Sequence, residues 1–446
     1  MNAFRKFLPP VALVSALALV PVAATSYAAA DTANYQEFEK FMSVYQQVKQ
    51  HYVVPVDDHT LMKGAIDGML ASLDPHSSYA EGADYDALKT LIEGSYGGLG
   101  LSVGMEDGTV KVITPTEDTP AWKAGIKAGD YITHINGELI YGFTLDEAVE
   151  KMRGKPGSPI KLTVVRRGRD KPFDVTLVRE EIKVRPVKWE VKEGVGYINI
   201  NQFAAGTGEA TEAAITGIDK ATGGHPLGYV VDLRSNPGGS LDEAIQVSDA
   251  FLDSGEIVSQ RGRDKDDIQR YYAKPGDMTH GLPIVVLTDV GSASASEIVA
   301  GALQDHRRAL VMGERTFGKG SVQSIQMLGD RTALRLTTAR YYTPSGHSVQ
   351  EGGIDPDISV PQLSDSDYKD RPVTREADLR RHLLNQAKVD DKLLEHDDTT
   401  DPRFKASADE LKKKGIDDFQ LYYAIATLKR IAGTPVPTAT IAKKGQ

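Results

Sequence analysis

The 446-residue sequence contains no cysteine, which excludes a disulfide framework, a thiol nucleophile and a lipid-modified N-terminal cysteine. It has no basic stripe either: 52 Lys and Arg stand against 62 Asp and Glu, for a net charge of -10. Nucleic acid is therefore not expected as a partner, and the acidic balance disfavours anionic membrane surfaces. The apolar run near the N-terminus is short and broken by prolines, which argues against a membrane anchor. Arg5 and Lys6 precede that run, it reaches about Val22, and small residues ending at Ala30 follow it. Residues 1–30 thus read as a cleaved secretory leader, with cleavage after Ala28 or Ala30. A periplasmic protein is expected, with membrane-associated or secreted forms as alternatives.

What is present begins with 40% hydrophobic residues, enough to build real cores. The length suits about two to four domains. From Tyr35 to Leu73 apolar residues recur at helical steps, first Phe38, Phe41, Met42 and Tyr45, then Leu61, Ile66, Met69 and Leu70. Two amphipathic helices are predicted there, packed on their own chain or on a second copy.

The most informative stretch runs from Pro283 to Gln323. Ile284 to Leu287 is a β-branched run of the kind that makes a buried strand, and Ser296 to Gln304 has helical apolar spacing. Small residues fill the turn between them. Ser294 lies three residues before Glu297, the spacing of a capping box, at a place where helix N–H groups favour negative charge. A serine alkoxide would be stabilised there. By residue type alone Ser292 and Ser296 are nearly equal candidates, and a capping serine explains the same pattern.

A serine needs a base, and no histidine lies near this turn except His306 on the following helix. Lys319, between Gly318 and Gly320, is the candidate, provided burial or a neighbouring cation keeps its amine neutral. Gln323 is spaced to hold that amine by a hydrogen bond. His76, after Asp-Pro, and His347, among glycine and serine, read as turn and loop residues. The strand predicted from Gly228 to Arg234 runs into Ser235-Asn-Pro-Gly-Gly-Ser240. The N–H of Gly238 or Gly239, with that of Ala295, could form an oxyanion hole.

On these residues the chain resembles the C-terminal processing peptidases, or tail-specific proteases, which are serine endopeptidases with a Ser-Lys dyad. Gly291-Ser-Ala-Ser-Ala-Ser-Glu297, Ala300-Gly-Ala-Leu303, Thr316-Phe-Gly-Lys-Gly-Ser-Val-Gln323 and Asp232-Leu-Arg-Ser-Asn-Pro-Gly-Gly239 carry the match. Asp289 stands where the family often has asparagine. The resemblance implies Ser294 as nucleophile and Lys319 as base. Residues from about Tyr85 to Glu181 resemble a PDZ domain, and Gly98, Leu99, Gly100 and Leu101 lie in its carboxylate-binding loop. Arg153 takes the place of an arginine that contacts the protease core when substrate fills the PDZ domain in related peptidases; a helix C-terminus favours a cation in any case.

The expected fold is multidomain α/β: a leader over 1–30, a helical region over 31–84, a PDZ domain over 85–182, a peptidase core of ClpP/crotonase-like type over 183–362, and a helical region with a mobile tail over 363–446. Further helices are predicted at Arg375 to Ala387 and Ser407 to Ile431, and the tail from Thr434 lacks apolar periodicity. No metal or cofactor is called for. Expected partners are proteins or peptides with apolar C-termini, an adaptor protein, and a second copy through the helical flanks. A non-catalytic PDZ scaffold is the alternative from another class. A trypsin-like enzyme would need a Gly-Asn-Ser-Gly-Gly loop, which is absent.

Overall fold

The structure is a computed structural model, in which residues 27–264, 266–368, 371–385 and 402–433 are described. The expected leader lies outside these residues apart from its last four, as does the tail from Thr434. Among the described residues no helix is long and apolar enough to cross a membrane. The chain divides into two compact units, Met1–Gly68 and Met69–Gln446.

Helices α1 (Tyr27–His51) and α2 (Asp58–Ala71) are the two predicted amphipathic helices. The Asp57 carboxylate accepts the Thr60 N–H at 2.9 Å and so caps α2. The Tyr45 hydroxyl donates to Asp58. The apolar stripe of α1 is not buried: Phe38 is 69% exposed, and Phe41 and Met42 also face solvent.

The second unit opens with Asp74-Pro-His-Ser77, in which Asp74 accepts the N–H groups of His76 and Ser77. Strand β1 (Ser78–Glu81) and helix α3 (Gly82–Glu93) follow, and Gly94 ends α3 in a left-handed cap. The expected domain boundary after residue 84 therefore falls inside a helix that the sequence reading missed. Strand β2 (Ser95–Gly98) comes next. The PDZ-like sheet is built of β3 (Leu101–Glu106), β4 (Thr109–Pro115), β5 (Tyr131–Ile135), β6 (Glu138–Leu139), β7 (Pro159–Val165) and β8 (Phe173–Val178). Helices α4 (Pro120–Lys123) and α5 (Leu145–Met152) complete it, and β3 is an edge strand in the order β3-β4-β5-β7-β8. A Thr144/Glu147 capping box fixes the start of α5. Strand β9 (Glu180–Lys183) pairs back with β2, so the expected boundary after residue 182 also cuts an element.

The core sheet takes β10 (Val187–Lys192), β11 (Val195–Ile200), β12 (Tyr229–Asp232), β15 (Ile284–Thr288), β16 (Ala309–Gly313) and β19 (Ile358–Ser359) in that spatial order. All neighbours but β10 pair in parallel. Parallel strands are covered on both faces, and alternate residues divide accordingly. Ile198, Tyr229, Val231, Ile284 and Val286 pack against α6 (Thr207–Ala221), α7 (Leu241–Asp249) and α8 (Ala295–Asp305). Val230, Val285, Leu287 and Met312 pack against α9 (Ala408–Lys413) and α10 (Phe419–Ile431). The expected C-terminal helical flank thus packs on the sheet as a layer of the core. A second sheet joins β13 (Glu256–Arg261), β14 (Ile268–Tyr272) and the long hairpin β17 (Ser321–Gly329) and β18 (Thr332–Tyr342) to β1.

Two helix predictions need correction. Arg375 to Asn385 holds one 3-10 turn, Glu376–Asp378, instead of a helix, because its polar groups bond across the fold: Glu376 accepts from Gln350, and Arg375 donates to the carbonyls of Arg315 and Thr316. The helix expected over Ser407 to Ile431 is two, broken where Gly415 turns left-handed at φ 69°.

Candidate active site

The loops after β12 and β15 leave the C-terminal edge of the parallel sheet side by side, where open α/β sheets place their sites. Side chains bind them together. Asp289 accepts the N–H groups of Ser235 at 2.7 Å and Gly291 at 2.9 Å. Asn236 reaches the Ile200 carbonyl, and its own carbonyl accepts the Ala293 N–H. The asparagine common at 289 would offer a similar acceptor oxygen, but as a neutral amide.

These bonds separate the three serines. Ser292 is fully buried and donates to the Leu233 carbonyl at 2.8 Å. Ser296 is fully buried and donates to the Asn236 carbonyl at 2.9 Å. Ser294 is half-buried, lines a cleft of about 510 Å³, and has φ 55° and ψ -110°. That backbone conformation is costly for a non-glycine residue and persists only where its surroundings enforce it.

Glu297 supplies the enforcement. Fully buried, it accepts the Ser294 N–H at 2.7 Å and the Lys319 N–H at 2.9 Å on one oxygen. Its other oxygen accepts the Thr316 hydroxyl at 2.6 Å and the Gly318 N–H at 2.7 Å. The carboxylate therefore ties the main chain of the serine turn to that of the lysine loop. Burial pushes its pKa up to about 7, against the downward pull of these four bonds. The capping-box spacing identified Glu297, but its reach to residues 316–319 had no signal in local sequence.

Lys319 is 8% exposed and lines the same cleft. Burial first, and the nearby Arg335 guanidinium second, lower its pKa to about 8, while Glu376, Glu297 and Asp74 oppose the shift. Its loop is held from several sides. Gln350 accepts the Gly320 N–H at 3.0 Å, and Tyr341 donates its hydroxyl to the Lys319 carbonyl while facing the Ser294 side chain. His76 bonds Glu376 at 2.8 Å, and Glu376 in turn accepts from Gln350, so this histidine supports the loop from behind. Arg335 and Tyr341, on β18, were missed because only the folded hairpin brings them here.

Gln323 lines the cleft, with its amide nitrogen donating to Ser321 at 2.9 Å and Thr337 at 3.2 Å. Gly239 and Ala295 also line it, and among the described residues neither N–H donates to a protein acceptor. The Gly238 N–H is already taken by the Asn236 side chain at 2.9 Å, so of the two expected alternatives only Gly239 keeps a donor for the cleft. Gly238 serves by its size: a Cβ there would lie 2.6 Å from the Ala293 carbonyl oxygen. His347 is exposed in a loop, and the His306 ring bonds the Glu256 carbonyl.

A second, smaller groove of about 70 Å³ lies between the edge strand β3 and α5. Gly98, Leu99, Gly100 and Leu101 line it with Val103, Val149 and Met152. Among the described residues the Leu99 and Gly100 N–H groups donate to no protein acceptor. Arg153 stands at the rim with its guanidinium 4.9 Å from the centre of the Tyr96 ring.

A strained serine and a buried lysine thus share one cleft at the edge of an α/β core. Residues 194–360 match the profile of peptidase family S41, 111–166 that of a PDZ domain, and 19–83 that of the activating protease CtpB N-terminal domain. A carboxy-terminal-processing protease of Bartonella bacilliformis is 51% identical over 358 residues, 80% of this chain and 82% of the relative. Carboxy-terminal processing protease CtpB of Bacillus subtilis is 36% identical over 342 residues, 75% of this chain and 70% of that protein. Among solved structures, a photosystem II D1 C-terminal processing protease aligns at 30% identity over 78% of this chain and 94% of its own, with a TM-score of 0.42. The chain belongs to the carboxy-terminal processing proteases of peptidase family S41 and is a serine-type peptidase with a PDZ domain.

Proposed function

We propose that the protein is an exported endopeptidase that captures protein C-termini in its PDZ groove and cuts peptide bonds with a Ser294–Lys319 dyad. The Lys319 amine takes the proton as the Ser294 hydroxyl attacks the scissile carbonyl. The N–H groups of Gly239 and Ala295 receive the oxyanion. The lysine then gives its proton to the leaving amine; water, deprotonated by the neutral Lys319 amine, attacks the acyl-enzyme, and the proton returns to the departing Ser294 oxygen. Among the described residues the Gln323 amide bonds Ser321 and Thr337 rather than the Lys319 amine as expected, so its proposed part is to hold the cleft wall beside the lysine.

The observation that carries this reading is the shared carboxylate of Glu297, which holds both main-chain segments at one cleft while burial favours the neutral amine. Casein digestion by wild-type, Ser294→Ala and Lys319→Ala protein tests it. Activity in the wild type alone is expected; a Lys319→Ala protein as active as wild type would remove the dyad. Family membership weighs against the scaffold alternative.

For the groove, the open edge of β3 and the unengaged N–H groups of Leu99 and Gly100 support recognition of a terminal carboxylate by strand addition. The apolar lining favours an apolar terminal residue. Arg153, at the groove rim, is proposed to report peptide occupancy to the core. The exposed stripe of α1 supports association with a second copy, which sedimentation of Phe38→Glu protein checks. An adaptor could use the same surface. Export is tested by N-terminal sequencing of the protein from the periplasm, where chains beginning after Ala28 or Ala30 are expected.

A further inference from the structure

We infer that α3 is a specificity wall of the catalytic cleft, with Leu88, Leu91 and Ile92 selecting an apolar substrate side chain beside the scissile bond. These residues stand at i, i+3 and i+4 and so share one face of the helix. All three line the cleft that holds Ser294 and Lys319. A helix with an apolar stripe ordinarily buries it against its own core. Here α3 buries none of its residues, Ile92 is 43% exposed, and none of the three joins the apolar clusters of the core or the PDZ sheet. Val322 and Ile325 of β17 line the same cleft, and Ile325 is 36% exposed. The apolar surfaces of α3 and β17 thus line space left for a guest.

The wall is also held in place. The Leu91 carbonyl accepts the Ala205 N–H at 3.3 Å, and Arg331 at the tip of the β17–β18 hairpin pairs with Asp86 of α3 at 2.6 Å. A cleft of about 510 Å³ has the size of a binding site rather than a packing defect. This inference rests on the peptidase reading above, since the occupant is argued from Ser294 sharing the cleft: it is an apolar side chain of the polypeptide being cut. An apolar guest there would also displace water from the neighbourhood of the Lys319 amine.

The test uses the full-length protein and peptides that share one C-terminal sequence, so that capture by the PDZ groove is common to all. They differ only in the residue beside the cut, Leu, Asn or Asp, placed on either side in separate series. Wild type should favour Leu over Asn by roughly tenfold or more in kcat/KM in one series. Leu88→Ala/Ile92→Ala protein should reduce that ratio to about threefold or less, chiefly by slowing cleavage of the Leu peptide, and Leu91→Arg should shift preference toward Asp at the same position. Lys89→Ala, on the outer face of α3, should leave the ratio as in wild type. An unmoved ratio in the α3 variants, or equal slowing on every peptide, overturns the inference and leaves α3 a strut. If wild-type and Ser294→Ala protein cut the series alike, the peptidase reading itself fails, and the inference with it.

Discussion

The cleft around Ser294 and the groove beside α5 treat their backbone groups in opposite ways. In the cleft, buried side chains accept successive N–H groups of the lysine loop, at Gly318, Lys319 and Gly320. Gly239 and Ala295, among the described residues, keep donors to offer. In the groove, Leu99 and Gly100 offer theirs beside an open strand edge. Bond-making needs atoms fixed before substrate arrives, whereas strand addition needs hydrogen bonds left unmade. One site is therefore saturated with internal bonds and the other is deliberately short of them.

Removing a reacting group should break this contrast most severely. Ser294→Ala or Lys319→Ala should lower casein cleavage by about a thousandfold or more, while peptide binding in the groove, followed by calorimetry, stays within about twofold of wild type. Loss of binding in parallel with cleavage would show that the sites are not separable.

Removing the clamp comes next. Glu297→Ala strands the N–H groups of Ser294, Gly318 and Lys319, so a stability loss of about 3 kcal/mol or more is expected in urea unfolding, along with loss of activity. At the groove, Val149→Ala trims a partly buried side chain, so it should cost about 1 kcal/mol and leave cleavage of a peptide with a blocked C-terminus unchanged.

The cleft should also be the part of the molecule that answers to pH. Lys319 is a base only when neutral, so kcat/KM should rise with pH through about 8. Arg335→Gln removes a cation that lowers the lysine pKa, and the midpoint should move to higher pH. The buried Glu297 has its pKa raised from 4.5 to about 7, so the folded chain binds more protons than the unfolded chain between those values. This group's contribution to stability is full below about 4.5 and is lost as pH rises through about 7. Glu297→Gln should remove that slope from the stability profile.

Smallest of all should be the effect of Arg331, which pairs with Asp86 and approaches Glu150 of α5 at 3.5 Å. It is half exposed, so Arg331→Ala should cost less than about 0.5 kcal/mol in thermal unfolding. A larger loss would mean that core and PDZ domain are coupled more firmly than their surface charges require.

Much of this was legible beforehand where the signal was local. Apolar period marked β15 and α8, capping spacing marked Ser294 and Glu297, and the glycines around Lys319 marked a close approach. What distinguishes Ser294 from Ser292 and Ser296 is not local: carbonyls of the loop after β12 occupy the other two hydroxyls. Arg335 and Tyr341 gave no pattern because a strand residue declares its face only once its neighbours are known. Helix α3 carries a signal, Leu88, Leu91 and Ile92 followed by Gly94, but it is short and runs straight into the glycine-rich segment that dominates the local pattern. The region from Arg375 failed for the reverse reason. Its helix-forming residues are spent on tertiary bonds, which local propensity does not weigh.

The last helix carries an obligation for a protein of this family. Its cap, Asp418, grips Arg234 at 2.7 Å, and Arg234 lies two positions before Asn236, whose side chain and carbonyl brace the loops around the Ser294 turn. Severing the chain ahead of Phe419 would uncover the back of the sheet and loosen that turn from the far side. An enzyme of a tail-cutting family thus depends on keeping this part of its own tail out of reach.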